Sequence, residues 1–161
     1  MDPYPNGPHN WGDVEPSGHG GPRLTHMHEK RVLLVEDHLD TQEIYRVMLE
    51  HHGFDVSVTD NGADAVRLAC EEQPGLILMD IDLPILNGWE ATEILRECQS
   101  TEEIPIVGLS ASATSESRER ASRLGFAAYI TKPCSPWVVL GVAEEFCGAG
   151  TKDGETRSST I

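Results

Sequence analysis

Five short apolar runs alternate with five amphipathic segments between residues 30 and 147, and this alternation limits the folds open to the chain. The runs are rich in β-branched residues, whereas the segments between them repeat apolar residues at helical spacing. Strands that alternate with helices form a parallel sheet with helices on both faces and right-handed crossovers. We therefore predict an α/β fold with a five-stranded parallel sheet. The predicted strands are 31–36, 54–59, 76–80, 104–110 and 127–131.

The helices are predicted from apolar spacing and from residues typical of helix ends. Gly53 is typical of a helix C-terminus, and Ser135 with Pro136 is typical of the start of a last helix. The predicted helices are 39–52, 63–72, 89–99, 114–124 and a fifth from 136 onward. The side chains expected to face the sheet include Ile44, Val47, Met48 and Leu49 in the first helix and Ile94 and Leu95 in the third.

Charged and hydroxyl side chains stand at the carboxyl ends of four predicted strands. The first strand ends in Glu36 and Asp37, the third in Asp80 and the fourth in Ser110, and Lys132 follows the fifth. In a parallel sheet these ends share one edge, and ligands bind there. A single acid at a strand end is more often a helix cap or a solvated loop residue. Together, these side chains predict a cleft with three carboxylates, a hydroxyl and an ammonium.

This combination of side chains suits phosphoryl transfer. Two unit negative charges ~4 Å apart repel by roughly 4 kcal/mol at an effective dielectric constant of 20, so clustered carboxylates need a cation. Oxygen ligands favour a hard ion, and we expect Mg²⁺. Asp80 can attack a phosphoryl group to form an acyl phosphate. Lys132 would screen the charge of the transferring group, and Ser110 would bond a phosphoryl oxygen afterwards.

Four motifs at the strand ends resemble those of a known family. They are VEDH at 35–38, LILMDIDLPILNG at 76–88, IPIVGLSA at 104–111 and AYITKP at 128–133. With these motifs, the chain from Arg31 to about Cys147 resembles a response-regulator receiver domain of the CheY-like type. The resemblance implies a flavodoxin-like, doubly wound (βα)5 fold. It also implies that Asp80 accepts phosphate from a histidine kinase or a histidine phosphotransfer protein.

The resemblance assigns further roles at the site. Glu36, Asp37 and Asp80 would hold Mg²⁺ directly or through water, and the backbone carbonyl of Asp82 would be a further metal ligand. Ser110 would be the switch hydroxyl, and Lys132 would contact the phosphoryl group.

Two more features are implied. Tyr129 would be the aromatic residue that turns inward when the switch hydroxyl moves, and the Lys132–Pro133 peptide bond would be cis.

The chain departs from the family pattern at three site positions. Ser110 stands where threonine is more frequent, which keeps the hydroxyl. His38 stands where asparagine is frequent, and Asp82 where an amide or a hydrophobic residue is more usual. The resemblance implies that positions 82 and 112 tune the lifetime of the phosphate. We therefore expect Asp82 to alter that lifetime, with the direction open.

Two other functions are weighed against this one. The Asp-x-Asp at a strand end also resembles a haloacid-dehalogenase-type phosphatase, but that pattern needs threonine or valine where Pro84 stands. Its late acidic pair should follow the lysine, whereas Glu36 and Asp37 come first. The other alternative is a receiver-like binding module that works without phosphorylation. We expect no separate turnover enzyme beyond self-catalysed phosphotransfer and dephosphorylation.

The charge balance bears on partners and location. The chain has 12 Lys and Arg against 27 Asp and Glu, for a formal net charge of −15. Phosphate backbones and anionic lipids would repel such a chain, so we expect neither nucleic acid nor a membrane as a partner. No apolar run is long enough for a membrane span, and the N-terminus lacks a signal-peptide pattern. The four cysteines, all in predicted helices or their starts, are interpreted as reduced packing residues of a cytoplasmic protein.

The chain is expected to divide into a disordered N-terminal tail at 1–29, a receiver domain at 30–147 and a flexible C-terminal tail at 148–161. With no output domain after residue 148, we expect a stand-alone regulator, a monomer or weak homodimer. Its output would be a downstream partner protein or relay to another histidine. Three arginines of the fourth helix and Trp137 form either a partner surface or a solvated face. These arginines are Arg118, Arg120 and Arg123.

Overall fold

Five parallel strands form one sheet in the computed structural model, which describes residues 30–148. The strands lie in the order β2-β1-β3-β4-β5, so the chain reverses its winding direction after β2. They are β1 Arg31–Val35, β2 Asp55–Thr59, β3 Leu76–Asp80, β4 Ile106–Ser110 and β5 Ala128–Thr131. The predicted sheet is confirmed. The predicted tail at 1–29 lies outside the described residues, as does all of 148–161 except Gly148.

Strand burial follows position in the sheet. Every residue of β3 and β4 is buried, because both strands have a neighbour on each side and helices on each face. The edge strands β2 and β5 are mostly half-buried. Glu36, predicted as the last residue of the first strand, lies just beyond β1, although its backbone N–H donates to the Thr59 carbonyl at 3.0 Å.

Five helices connect or follow the strands. They are α1 Leu39–His51, α2 Gly62–Glu72, α3 Gly88–Glu97, α4 Ser115–Arg123 and α5 Pro136–Ala143, which continues into a π-helical turn at Glu144–Gly148. Ser135 caps α5 by accepting from the Trp137 backbone N–H, and Pro136 is the first residue of α5, as predicted. Gly53 follows His52, the C-cap residue of α1, and has φ of 94°, a conformation that glycine adopts without strain.

Alternate residues of the strands supply two separate cores. One core lies between the sheet and helices α1 and α5, and it includes Leu34, Leu78 and Leu109. The other lies between the sheet and helices α2 and α3, and it includes Leu33 and Met79. Successive strand side chains point to opposite faces, so this division confirms helices on both faces.

The predicted inward faces of α1 and α3 are partly wrong. In α1, Tyr45 and Leu49 are buried, whereas Ile44 and Val47 are about half exposed. In α3, Leu95 is buried and Ile94 is 43% exposed. Residues four apart share one side of a helix, so the buried pair in α1 rotates its inward face away from Ile44.

The cysteines occupy more varied positions than predicted. Cys147 is buried in the π-helical turn, whereas Cys70 is exposed on α2. The interpretation of Cys70 as a packing residue is therefore wrong. No disulfide joins any of the cysteines within residues 30–148. In that same range, no helix has both the length and the apolar character needed to cross a membrane.

Candidate functional site

The carboxyl edge of the sheet brings together the side chains predicted from the strand ends. Asp80 and Ser110 are the last residues of β3 and β4, and Glu36 follows β1. These three are buried, with exposed fractions of 1%, 1% and 0%. Lys132 follows β5 and remains half-buried. Burying polar and charged groups at a strand end is costly unless they form hydrogen bonds or ion pairs there.

Lys132 is the shared partner of two buried carboxylates. Its Nζ lies 3.4 Å from Asp80 Oδ2 and 3.4 Å from Glu36 Oε1. The other oxygen of Asp80 accepts from the backbone N–H of Asp82 at 3.0 Å. The two oxygens of Asp80 are therefore held in one orientation by an ammonium on one side and a backbone donor on the other. The Lys132–Pro133 peptide bond is cis, as the resemblance implied.

The pKa values of Asp80 and Lys132 reflect the burial of these groups and the negative charge around them. Burial and, to a smaller extent, the nearby Glu36 carboxylate raise the pKa of Asp80, which reaches about 6. The Asp82 backbone donor and Lys132 oppose this change. Burial lowers the pKa of Lys132, but the attraction of Asp80 and Glu36 is stronger, so the net direction is upward. The ammonium therefore stays charged, and it does not fully compensate the carboxylates.

The acidic residues form a group with the spacing of a metal site. One ligand atom from each of Glu36, Asp37, His38 and Asp80 lies within 4.8 Å of all the others. Asp37 Oδ1 is buried and has no hydrogen-bond partner. A buried carboxylate oxygen needs a cation or a donor, and the oxygen donors here are those that Mg²⁺ prefers. The residues present therefore fit the predicted metal.

Asp82 is placed differently from the other acidic residues. Its side chain is exposed and does not belong to the four-residue group. Its Oδ2 instead accepts from the backbone N–H of Ala111 at 3.4 Å, directly after Ser110 in the chain. The side chain thus links the loop after β3 to the loop after β4 at the mouth of the cleft.

The loop after β3 is pressed against the end of that strand by Gly88. A Cβ built on Gly88 would lie 2.6 Å from the Asp80 carbonyl oxygen and 2.7 Å from Ile81 Cα, too close for any other residue. The Gly88 backbone N–H donates to the Ile81 carbonyl at 3.0 Å. Asn87 and Glu90 then form a capping box at the start of α3. The stretch LILMDIDLPILNG thus packs the end of β3, at Asp80, against the start of α3.

The two predicted switch residues are connected through Ser112. Ser110 Oγ accepts from the Ser112 backbone N–H at 3.0 Å. The Tyr129 hydroxyl donates to the Ser112 carbonyl, also at 3.0 Å. Any movement of this loop therefore affects the partners of both side chains.

Tyr129 also belongs to an aromatic cluster that the sequence pattern did not indicate. Its ring stacks on Trp89, with centroids 5.9 Å apart and an interplanar angle of 22°. Phe126 meets Trp89 edge-on at 5.7 Å. The guanidinium of Arg118 lies 5.7 Å from the Tyr129 ring, and that of Arg120 lies 4.6 Å from the Trp89 ring. Two of the three predicted surface arginines therefore cover the aromatic rings of this cluster.

His38 is a further site residue, which the sequence marked only as a departure from the family pattern. Its Nδ1 lies 3.3 Å from Glu36 Oε2 and 3.5 Å from Asp37 Oδ1. The side chain is 73% exposed and makes no cap hydrogen bond to α1, although His38 is the N-cap residue. Its position directly after an acidic pair was a further signal in the sequence.

Comparisons with known proteins agree with this geometry. The family model described as "Response regulator receiver domain" matches residues 32–142. The polar-differentiation response regulator DivK of Brucella anthropi is 39% identical over 106 residues, which cover 66% of this chain and 86% of the relative.

Solved structures with the same fold include one that holds a metal. The receiver domain of sensor histidine kinase PA1611 from Pseudomonas aeruginosa, described with magnesium coordinated in the active site cleft, has a TM-score of 0.67 and 32% identity. The match covers 74% of this chain and 98% of that one. A CheY-like response regulator receiver domain protein from Methanospirillum hungatei has a TM-score of 0.69 and 26% identity, and covers 78% of this chain and 98% of that one.

Proposed function

Because the chain belongs to the response regulator receiver domain family, we propose that Asp80 accepts a phosphoryl group from the phosphohistidine of a histidine kinase or phosphotransfer protein. One observation carries this proposal: Asp80 is a buried carboxylate whose two oxygens are held by Lys132 and by the Asp82 backbone N–H. A nucleophile fixed in this way needs little reorganisation before attack.

In the proposed reaction, a carboxylate oxygen of Asp80 forms a bond to phosphorus as the phosphorus–nitrogen bond of the donor breaks. The leaving imidazole keeps the bonding electron pair and takes up a proton from solvent. Lys132, with Nζ already 3.4 Å from Asp80, would pair with a phosphoryl oxygen as negative charge accumulates. Bound Mg²⁺, held by Glu36, Asp37, Asp80 and the Asp82 carbonyl, directly or through water, would supply further positive charge.

Phosphorylation would then act on the switch residues. An aspartyl phosphate brings more negative charge and new acceptor oxygens to the end of β3. The Ser110 hydroxyl, on the neighbouring strand β4, would turn to donate to one of them. The loop through Ser112 would follow, because its backbone N–H bonds Ser110 and its carbonyl accepts from Tyr129. The face formed by α4, β5 and α5 would change shape for a downstream partner protein.

A direct test uses acetyl phosphate with Mg²⁺ and intact-protein mass spectrometry. The wild type should gain one phosphoryl group, and Asp80→Asn should gain none. Asp55→Asn is a matched control, because it removes the same charge from an exposed residue at the start of β2, at the edge of the sheet formed by the amino ends of the strands. This variant should behave as the wild type. An unmodified wild type would instead favour the phosphorylation-independent binding module. Sustained turnover of a small phosphate ester would favour the phosphatase.

A further inference from the structure

The acidic cluster contains one nitrogen donor in addition to its carboxylates. A ligand atom of His38 lies within 4.8 Å of one from each of Glu36, Asp37 and Asp80. Ligand atoms of a single ion 2.0–2.4 Å from its centre are separated by at most about 4.8 Å, so the spacing allows all four on one ion. The spacing therefore allows the His38 imidazole to bind the same ion as the three carboxylates.

The position of the imidazole leaves it available to an ion. His38 has an extended backbone at the N-cap of α1, yet its side chain makes no bond to the helix end. Its ring instead turns toward the acidic pair, with Nδ1 3.3 Å from Glu36 Oε2 and 3.5 Å from Asp37 Oδ1, a buried oxygen that makes no hydrogen bond. The ring is largely exposed, so it stands at the solvent side of the cluster and can approach an ion without displacing buried groups.

We propose that the His38 imidazole is a direct metal ligand, which makes this site favour first-row transition ions such as Mn²⁺ over Mg²⁺. Imidazole nitrogen binds such ions well, whereas Mg²⁺ is bound by carboxylate, carbonyl and water oxygens. One nitrogen among carboxylates therefore raises the affinity for Mn²⁺ more than the affinity for Mg²⁺. The inference rests on the proposed function in using the same acidic cluster, but it concerns metal binding before any phosphoryl transfer.

The test is pulsed electron paramagnetic resonance of Mn²⁺ bound to the full-length, unphosphorylated protein. A coordinated imidazole modulates the electron spin echo, so the wild type should show nitrogen modulation. His38→Asn should lose it. Because the chain has seven histidines, His51→Asn is the matched control: His51 is an exposed residue at the end of α1, and its variant should keep the modulation.

Binding measurements give a second readout. His38→Asn should weaken Mn²⁺ binding by about tenfold or more and leave Mg²⁺ binding within about threefold of the wild type. The absence of nitrogen modulation in the wild type, or its persistence in His38→Asn, would overturn the proposal. If the wild type lacks the modulation but Asp80 is still phosphorylated with Mg²⁺, only this inference fails. If the modulation is present but no acyl phosphate forms, the proposed function fails instead.

Discussion

Lys132 Nζ lies 3.4 Å from Asp80 Oδ2, although 51 residues separate the two in the sequence and β4 lies between their strands. The same ammonium lies 3.4 Å from Glu36 Oε1, so one cation serves two buried carboxylates. The site therefore carries uncompensated negative charge, and burial together with the Glu36 carboxylate raises the pKa of Asp80. This charge is the physical basis of the predictions for Asp80 and Asp82 below.

Replacing Asp80 by asparagine should stabilise the metal-free protein at neutral pH. The pKa of Asp80 is raised from 3.8 to about 6 in the folded state, so the folded state binds this proton more tightly than the unfolded state does. Stability from this group is complete below about pH 4 and is lost as the pH rises to about 6. Above pH 6, Asp80→Asn should raise the free energy of unfolding by on the order of 1–3 kcal/mol, and by less at pH 4.

Urea unfolding in a metal chelator at several pH values measures this difference. Asp55→Asn is the control, because Asp55 pairs with Arg31 at an exposed position where an ion pair contributes little. An Asp80→Asn variant less stable than the wild type at pH 8 would contradict the electrostatic account of the site.

Replacing Asp82 by asparagine should speed phosphorylation by acetyl phosphate by about two- to tenfold. The Asp82 carboxylate stands at the mouth of the cleft and accepts from the Ala111 N–H, so it repels an anionic donor. Asparagine keeps the acceptor oxygen and removes the charge. The dephosphorylation rates of the two proteins should also differ, and both rates can be followed by intact mass. If the wild type and Asp82→Asn have equal phosphorylation rates and equal dephosphorylation rates, the Asp82 side chain does not tune the site.

Phosphorylation should shift the fluorescence emission of Trp89 to longer wavelength. Trp89 stacks on Tyr129, and an inward turn of Tyr129 would remove this cover and expose the indole. A variant with phenylalanine at positions 11 and 137 keeps Trp89 as the only tryptophan. Adding Ser110→Ala should abolish the shift while phosphorylation continues. An unchanged spectrum at full phosphorylation of Asp80 would argue against the movement of Tyr129.

Cys98 should react with iodoacetamide at a lower pH than an ordinary thiol. The Ser100 hydroxyl, 3.3 Å from its sulfur, and the Ser100 backbone N–H lower the pKa of Cys98 to about 7. The thiolate is the reactive form, so the alkylation rate should rise through about pH 7 and level off about one unit above. Ser100→Ala should move this midpoint upward. Peptide mass spectrometry gives the rates, with buried Cys147 as a slow internal reference; a midpoint near 9 would contradict the assignment.

The position of the site could be predicted because it depends on strand ends. Glu36, Asp80, Ser110 and Lys132 each end or follow a strand, and a parallel sheet places those ends at one edge whatever the details of packing. The alternation of strands and helices was enough to predict that sheet. The individual roles of these residues remain predictions, which the experiments proposed above would test.

Features that depend on packing could not be predicted in this way. The rotation of α1 about its axis decides that Tyr45 is buried and Ile44 exposed, and a polar tyrosine did not mark the inward face. The stacking of Trp89 on Tyr129 joins α3 to β5, and no spacing within either segment indicates that contact. His38 turns toward the acidic pair through its side-chain torsion, which the sequence leaves open.

The central claim is that Asp80, and neither of the neighbouring acids Asp37 and Asp82, carries the phosphoryl group. Borohydride reduces an acyl phosphate to an alcohol, so it converts a phosphorylated aspartate to homoserine at that position only. After treatment with acetyl phosphate and Mg²⁺, peptide mapping should find homoserine at position 80 alone. Homoserine at position 37 or 82, or at no position, would contradict the account.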